Sequence, residues 1–157
     1  MISLHKKKGF MIDERLLGTY RFINSPLTIK SLILDISGKV KTIDRFMDKK
    51  SVLNYHTLRI SGKVYAENYA NDSKITGNIH INFLKGEISY YINFKNYANE
   101  FCYIKGRKLI SMLTFVRDLT SLEGEIFNKQ TQEKIADIQL FSSKKKFKSI
   151  LKSFKVI

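Results

Sequence analysis

The chain is 157 residues long and carries 28 Lys and Arg against 14 Asp and Glu, a formal net charge of +14. That length suits one domain, since about 150 residues bury roughly 70% of the unfolded surface. No run approaches the ~20 apolar residues of a spanning helix, the single proline speaks against a disordered linker, and the single cysteine, Cys102, excludes an intrachain disulfide.

The first residues have a short apolar start and then His5-Lys6-Lys7-Lys8. They lack the apolar core and small-residue cleavage site of a signal peptide, so the reading is cytoplasmic. Residues 1–12 read as a basic N-terminal arm and 13–157 as a single domain. Arg15 to Ile23 alternates apolar with polar and reads as a first strand. Asn24-Ser25-Pro26 is a turn signal, and Leu27 to Ile36 reads as a second strand. At residues 42–50 the period changes: Ile43, Phe46 and Met47 share one face of a short helix, with Thr42 as its N-cap.

Tyr55 to Ile104 is the central stretch. Leu58, Ile60, Gly62, Val64 and Ala66 fall on one parity. So do Ile75, Gly77, Ile79, Ile81 and Phe83, and then Ile88, Tyr90, Ile92 and Phe94. A period of two places every second side chain on one face of a sheet. Leu84-Lys85-Gly86-Glu87 reads as a hairpin turn with glycine at a special backbone position. Glu100 to Ile104 returns as a strand, and Gly106-Arg107-Lys108 interrupts it. Leu109 to Val116 fits either a strand or a helical turn. Leu119 to Phe127 and Lys134 to Phe141 read as the last strands. Phe147, Ile150, Leu151 and Phe154 then follow helical spacing, with lysines around them, as in a C-terminal amphipathic helix.

Glycines recur inside the strands, and Ser37-Gly38-Lys39-Val40 repeats as Ser61-Gly62-Lys63-Val64. Glycine weakens a strand, so repeated use needs a reason. Strong coiling of the sheet is one, and a ligand approaching the backbone is another; coiling is the reading preferred here.

Motifs for chemistry are sparse. His5, His56 and His80 have no second ligand at metal-site spacing, so neither a metal nor a cofactor is expected. Cys102, between Phe101 and Tyr103, reads as a buried structural thiol. There is no nucleophile-elbow serine, Gly-rich phosphate loop or catalytic residue to name. Glu87, Glu123 and Glu125 lie on strands and read as solvent-facing. The aromatics are denser. Tyr90, Ile92, Phe94 and Tyr103 are the candidate lining of an apolar cavity, with Arg107 near its mouth to meet an acidic headgroup. Ordinary core packing competes with that reading.

Several phrases in order resemble a β-rich accessory region of some bacterial sterol-oxidase-like flavoproteins, of the glucose–methanol–choline oxidoreductase group. They include Leu32-Ile33-Leu34-Asp35-Ile36, Ile43-Asp44-Arg45-Phe46-Met47-Asp48, Gly77-Asn78-Ile79-His80-Ile81, Phe101-Cys102-Tyr103-Ile104-Lys105-Gly106 and Thr120-Ser121-Leu122-Glu123-Gly124-Glu125-Ile126. The flavin-binding part of that group has no counterpart here. The resemblance implies a stand-alone relative of an accessory domain, associated with lipid or sterol metabolism.

The fold expected is mainly β, an antiparallel, strongly coiled sheet or lipocalin-like barrel of about eight strands with two helices. The function expected is a non-enzymatic module that holds an apolar, lipid-like small molecule in the barrel. The alternative is a basic adaptor. Through Lys6, Lys7, Lys8, Lys144, Lys145, Lys146, Lys148 and Lys152 it would bind nucleic acid, anionic membrane or an acidic protein. Biased coding raises Lys without any selection for binding and is the reading preferred for the charge.

Overall fold

The computed structural model describes residues 10–40, 55–82, 85–109, 121–141 and 155–156. Eight long strands follow one another: β1 (Phe10–Phe22), β2 (Lys30–Val40), β3 (Tyr55–Ala66), β4 (Ala70–Asn82), β5 (Glu87–Lys95), β6 (Phe101–Leu109), β7 (Ser121–Asn128) and β8 (Lys134–Phe141). Each pairs antiparallel with the next, and β8 pairs with β1, so the sheet closes into an up-and-down barrel. No helix occurs among the described residues. The helix expected over 42–50 lies outside them, as does nearly all of the one expected at the C-terminus. The described part of that end, β9 (Lys155–Val156), is a two-residue strand paired with Phe10 and Met11. Phe10, Met11 and Ile12, read from sequence as part of the arm, pair with Val40, Lys39 and Gly38.

The alternation seen in the sequence is the inside and outside of the barrel. Leu16, Leu34, Ile92, Ile104, Leu122, Ile126 and Leu140 point inward and are fully buried. An eight-stranded barrel is about wide enough inside for side chains to fill it. The outward positions of β5 to β8 mix polar residues, such as Ser89, Lys105, Glu123 and Gln139, with exposed Phe101, Leu109 and Phe141.

Gly18, Gly62, Gly77 and Gly124 occupy inward positions where strands bend hard over their neighbours. A Cβ there would collide with the carbonyls of Gln139, Asp35, Tyr91 and Lys105 respectively. The repeated glycines therefore serve coiling and closure.

The two ends of the barrel differ. At one, the strands are joined by short described turns: 23–29, 67–69, 96–100 and 129–133. These are tied to one another by backbone hydrogen bonds, Glu67 N–H to the Ser31 carbonyl, Tyr97 N–H to Tyr69 and Lys129 N–H to Phe101. Beneath them Tyr20, Phe22, Tyr69 and Phe94 pack edge to face or tilted, with centroids 5.2–6.3 Å apart. At the other end, called the rim below, the chain leaves or re-enters at Phe10, Val40, Tyr55, Asn82, Leu109, Ser121 and Phe141.

Candidate functional site

Among the described residues, the buried charged side chains lie at one level near the rim. Alternation along β1 sends Glu14 inward with Leu16 and Tyr20, and alternation along β6 sends Lys108 inward with Cys102 and Ile104. Strands β1 and β6 are not neighbours, so these side chains meet across the lumen. The Lys108 ammonium lies 2.6 Å from Glu14 Oε1, with the two side chains only 2% and 5% exposed. Tyr90, on β5, donates its hydroxyl to Glu14 Oε2 at 3.3 Å. The Lys108 ammonium also sits 5.3 Å from the centre of the Tyr90 ring. Burial, with the Glu14 carboxylate beside it, pushes the Tyr90 hydroxyl well above its ordinary pKa, so it stays a donor. By register Ile36 sits beside Glu14 and Ile88 beside Lys108.

Such a trio is an expensive thing to place in a barrel. Desolvating two charges costs several kcal/mol per ion, and an apolar replacement of both partners is often neutral or stabilising. Packing alone therefore gives no reason for it.

The residues expected to line a cavity divide. Tyr90, Ile92 and Phe94 do point inward, but Ile92 is fully buried in the core and Phe94 belongs to the aromatic layer at the turn end. Tyr103 and Arg107 take outward positions on β6. Tyr103 is stacked between Tyr91 and Phe127, with both centroids 5.0 Å away, and its hydroxyl donates to Gln132 Oε1 at 2.8 Å. Cys102 and Tyr103 are adjacent in an unbroken strand, so with Cys102 inward Tyr103 must point out. Arg107 lines a polar trough of about 920 Å³ on the outer wall, together with Lys105, Glu87, Glu123, Glu125 and Asp137. Lys134 bridges Glu125 at 3.2 Å and Asp137 at 2.7 Å there.

Cys102 is buried, and its Sγ lies 3.3 Å from the Tyr69 hydroxyl. Burial raises the thiol's pKa, which suits packing better than nucleophilic work. His80 Nδ1 lies 2.9 Å from Thr57 Oγ1. Among the described residues no group of three or more His, Cys, Asp or Glu is placed to hold a metal. The eight lysines of the expected basic surface lie outside the described residues.

Sequence reading missed Glu14 and Lys108 altogether. The available signal was their parity, Glu14 in phase with Leu16 and Lys108 in phase with Cys102 and Ile104. Comparison with family models, curated proteins and solved structures finds no match for this chain.

Proposed function

We propose that the chain is a non-enzymatic binding module, lipocalin-like in architecture. It takes an apolar, lipid-like small molecule at the rim half of the barrel, with the ligand's polar end against Glu14, Lys108 and Tyr90. The observation that carries this reading is that cross-lumen trio, 3–6% exposed at residue level and set among apolar side chains such as Ile36 and Ile88. Apolar chambers with a few convergent polar groups are the usual form of small-molecule sites. The resemblance to an accessory region of sterol-oxidase-like proteins points to the same ligand class.

The test pairs extraction and mass spectrometry of the purified protein with binding of a fluorescent fatty-acid analogue and a fluorescent sterol. The double variant Glu14→Gln, Lys108→Met removes both charges while keeping volume. It is expected to fold and to lose at least tenfold in affinity, about 1.4 kcal/mol. Unchanged affinity would separate the ligand from the trio. A protein that carries no lipid and binds neither probe would be a packed scaffold, and the reading would fail.

A second reading has its own observation. Eleven of the 28 basic residues but only three of the 14 acids fall in the sequences between β2 and β3, β4 and β5, β6 and β7, and β8 and β9, a formal +8 of the total +14. A positive excess concentrated in those connecting sequences favours attachment to an anionic surface. That reading requires affinity to fall steeply between low and physiological salt, and a flat salt response would eliminate it.

A further inference from the structure

At the turn end, away from the rim and the trio, a second groove of about 530 Å³ opens on the outside of β4, β5 and the β5–β6 turn. Two aromatic rings line it in the open, Tyr97 at 61% and Phe101 at 58% exposure. Lys74 and Lys95 are its charged lining residues, and no carboxylate is among those that line it. The Lys95 ammonium lies 4.7 Å from the Phe101 centroid, holding a cation within reach of a ring's surface.

Amide side chains complete the lining, and some have structural work. Asn96 accepts the Glu100 N–H and donates to Tyr69 and Glu100, which fixes the turn. Asn93 donates to the Thr76 carbonyl at 3.4 Å and accepts from Lys129 at 3.0 Å, which brings a third cation to the groove's edge. Asn71 and Asn99 are exposed. The nearest acids are accounted for: Glu100 is engaged by Asn96 and Asn128, and Asp72 follows Asn71 outside the lining.

Open rings beside cations, with amide groups between them, match one ligand chemistry. Bases of a single strand stack on rings with little sequence preference, and lysines follow the phosphates. Asparagine can pair with a base edge in either sense, because it both donates and accepts. A duplex hides its base faces, so it cannot use the rings. We infer that this groove binds a short stretch of single-stranded nucleic acid, with bases on Tyr97 and Phe101 and phosphates on Lys74 and Lys95. The site is independent of the lipid-binding reading, and the net charge of +14 supplies long-range attraction to it.

The experiment is fluorescence anisotropy of the full chain with a labelled oligo-dT strand, at two salt concentrations, with the matching duplex as competitor. Tyr97→Ala with Phe101→Ala leaves the net charge unchanged, and both rings are exposed, so folding should survive; a thermal melt checks this. The ring variant is expected to lose about tenfold or more in affinity. Tyr97→Phe should retain binding, and Lys74→Ala with Lys95→Ala should flatten the salt dependence. Binding that the ring variant keeps would belong to charge elsewhere and would overturn the inference. So would absence of binding by the unaltered protein, competition by duplex as strong as by single strand, or binding of a neutral oligosaccharide in place of the oligonucleotide.

Discussion

Glu14 and Lys108 set the predictions at the scale of single residues. Lys108→Met removes the ammonium 2.6 Å from the buried Glu14 carboxylate and is expected to cost about 3–5 kcal/mol in a urea titration, whereas the double variant with Glu14→Gln recovers most of it. A single variant as stable as the parent would mean that water already reaches Glu14. The tyrosines give a pH prediction. Burial, aided by the Glu67 charge, raises the Tyr20 hydroxyl from 10.0 to about 12, and burial raises Tyr69 and Tyr90 as well. Each is protonated in the native state while its unfolded counterpart ionises. Their contribution is thus complete below about pH 10 and is lost as pH rises through 12. Tyrosinate absorbance should therefore appear together with unfolding, and Tyr20→Phe should blunt the loss. These residues were hard to read in the sequence for a definite reason. A charged residue in an alternating strand reads as solvent-facing, and the partner of Glu14 lies 94 positions away on a strand that is not its neighbour. Only closure of the sheet brings them together. Tyr103 was misplaced for a related reason: parity does not carry across a turn, and the buried thiol of Cys102 already claimed the inward side.

At the scale of the strands, period-two alternation carried most of the fold. The strands follow from it, the turn at Gly86 (φ +59°) follows from its glycine, and closure was one of the two architectures expected, a coiled sheet or a barrel. Gly106-Arg107-Lys108, read as an interruption, instead continues β6 to Leu109, because Gly106 sits opposite Gly124 where the wall bends. A glycine in a strand marks either a break or a bend, and the one-dimensional pattern does not separate the two. The bend makes a prediction. At Gly77 an added methyl would strike the Tyr91 carbonyl and approach the Ile92 Cα at 2.9 Å. Gly77→Ala should cost about 1–3 kcal/mol or more in a denaturant melt, far above the few tenths expected of an exposed substitution such as Lys63→Ala. Equal effects would mean that the sheet relaxes without resisting.

For the molecule as a whole, the order of the strands decides how it comes apart. Seven of the eight seams join strands adjacent in sequence; the eighth, between β8 and β1, is paired at six positions, against eleven between β1 and β2. Closing that seam spans nearly the whole chain, so its loop-closure cost is the largest and it should form last. Amide exchange should then begin there, at outward positions such as Thr19 and Gln139, before it reaches β3 and β4. Leu17 and Phe141 are partners at the rim end of this seam, where β8 finishes. A force applied at those two points loads the hydrogen bonds one at a time, as a zip is drawn, instead of shearing the row at once. Despite its closed wall, the barrel is mechanically soft along this single line. A tug that opens it converts the lumen into an open sheet and uncovers Glu14, Lys108 and whatever rests against them.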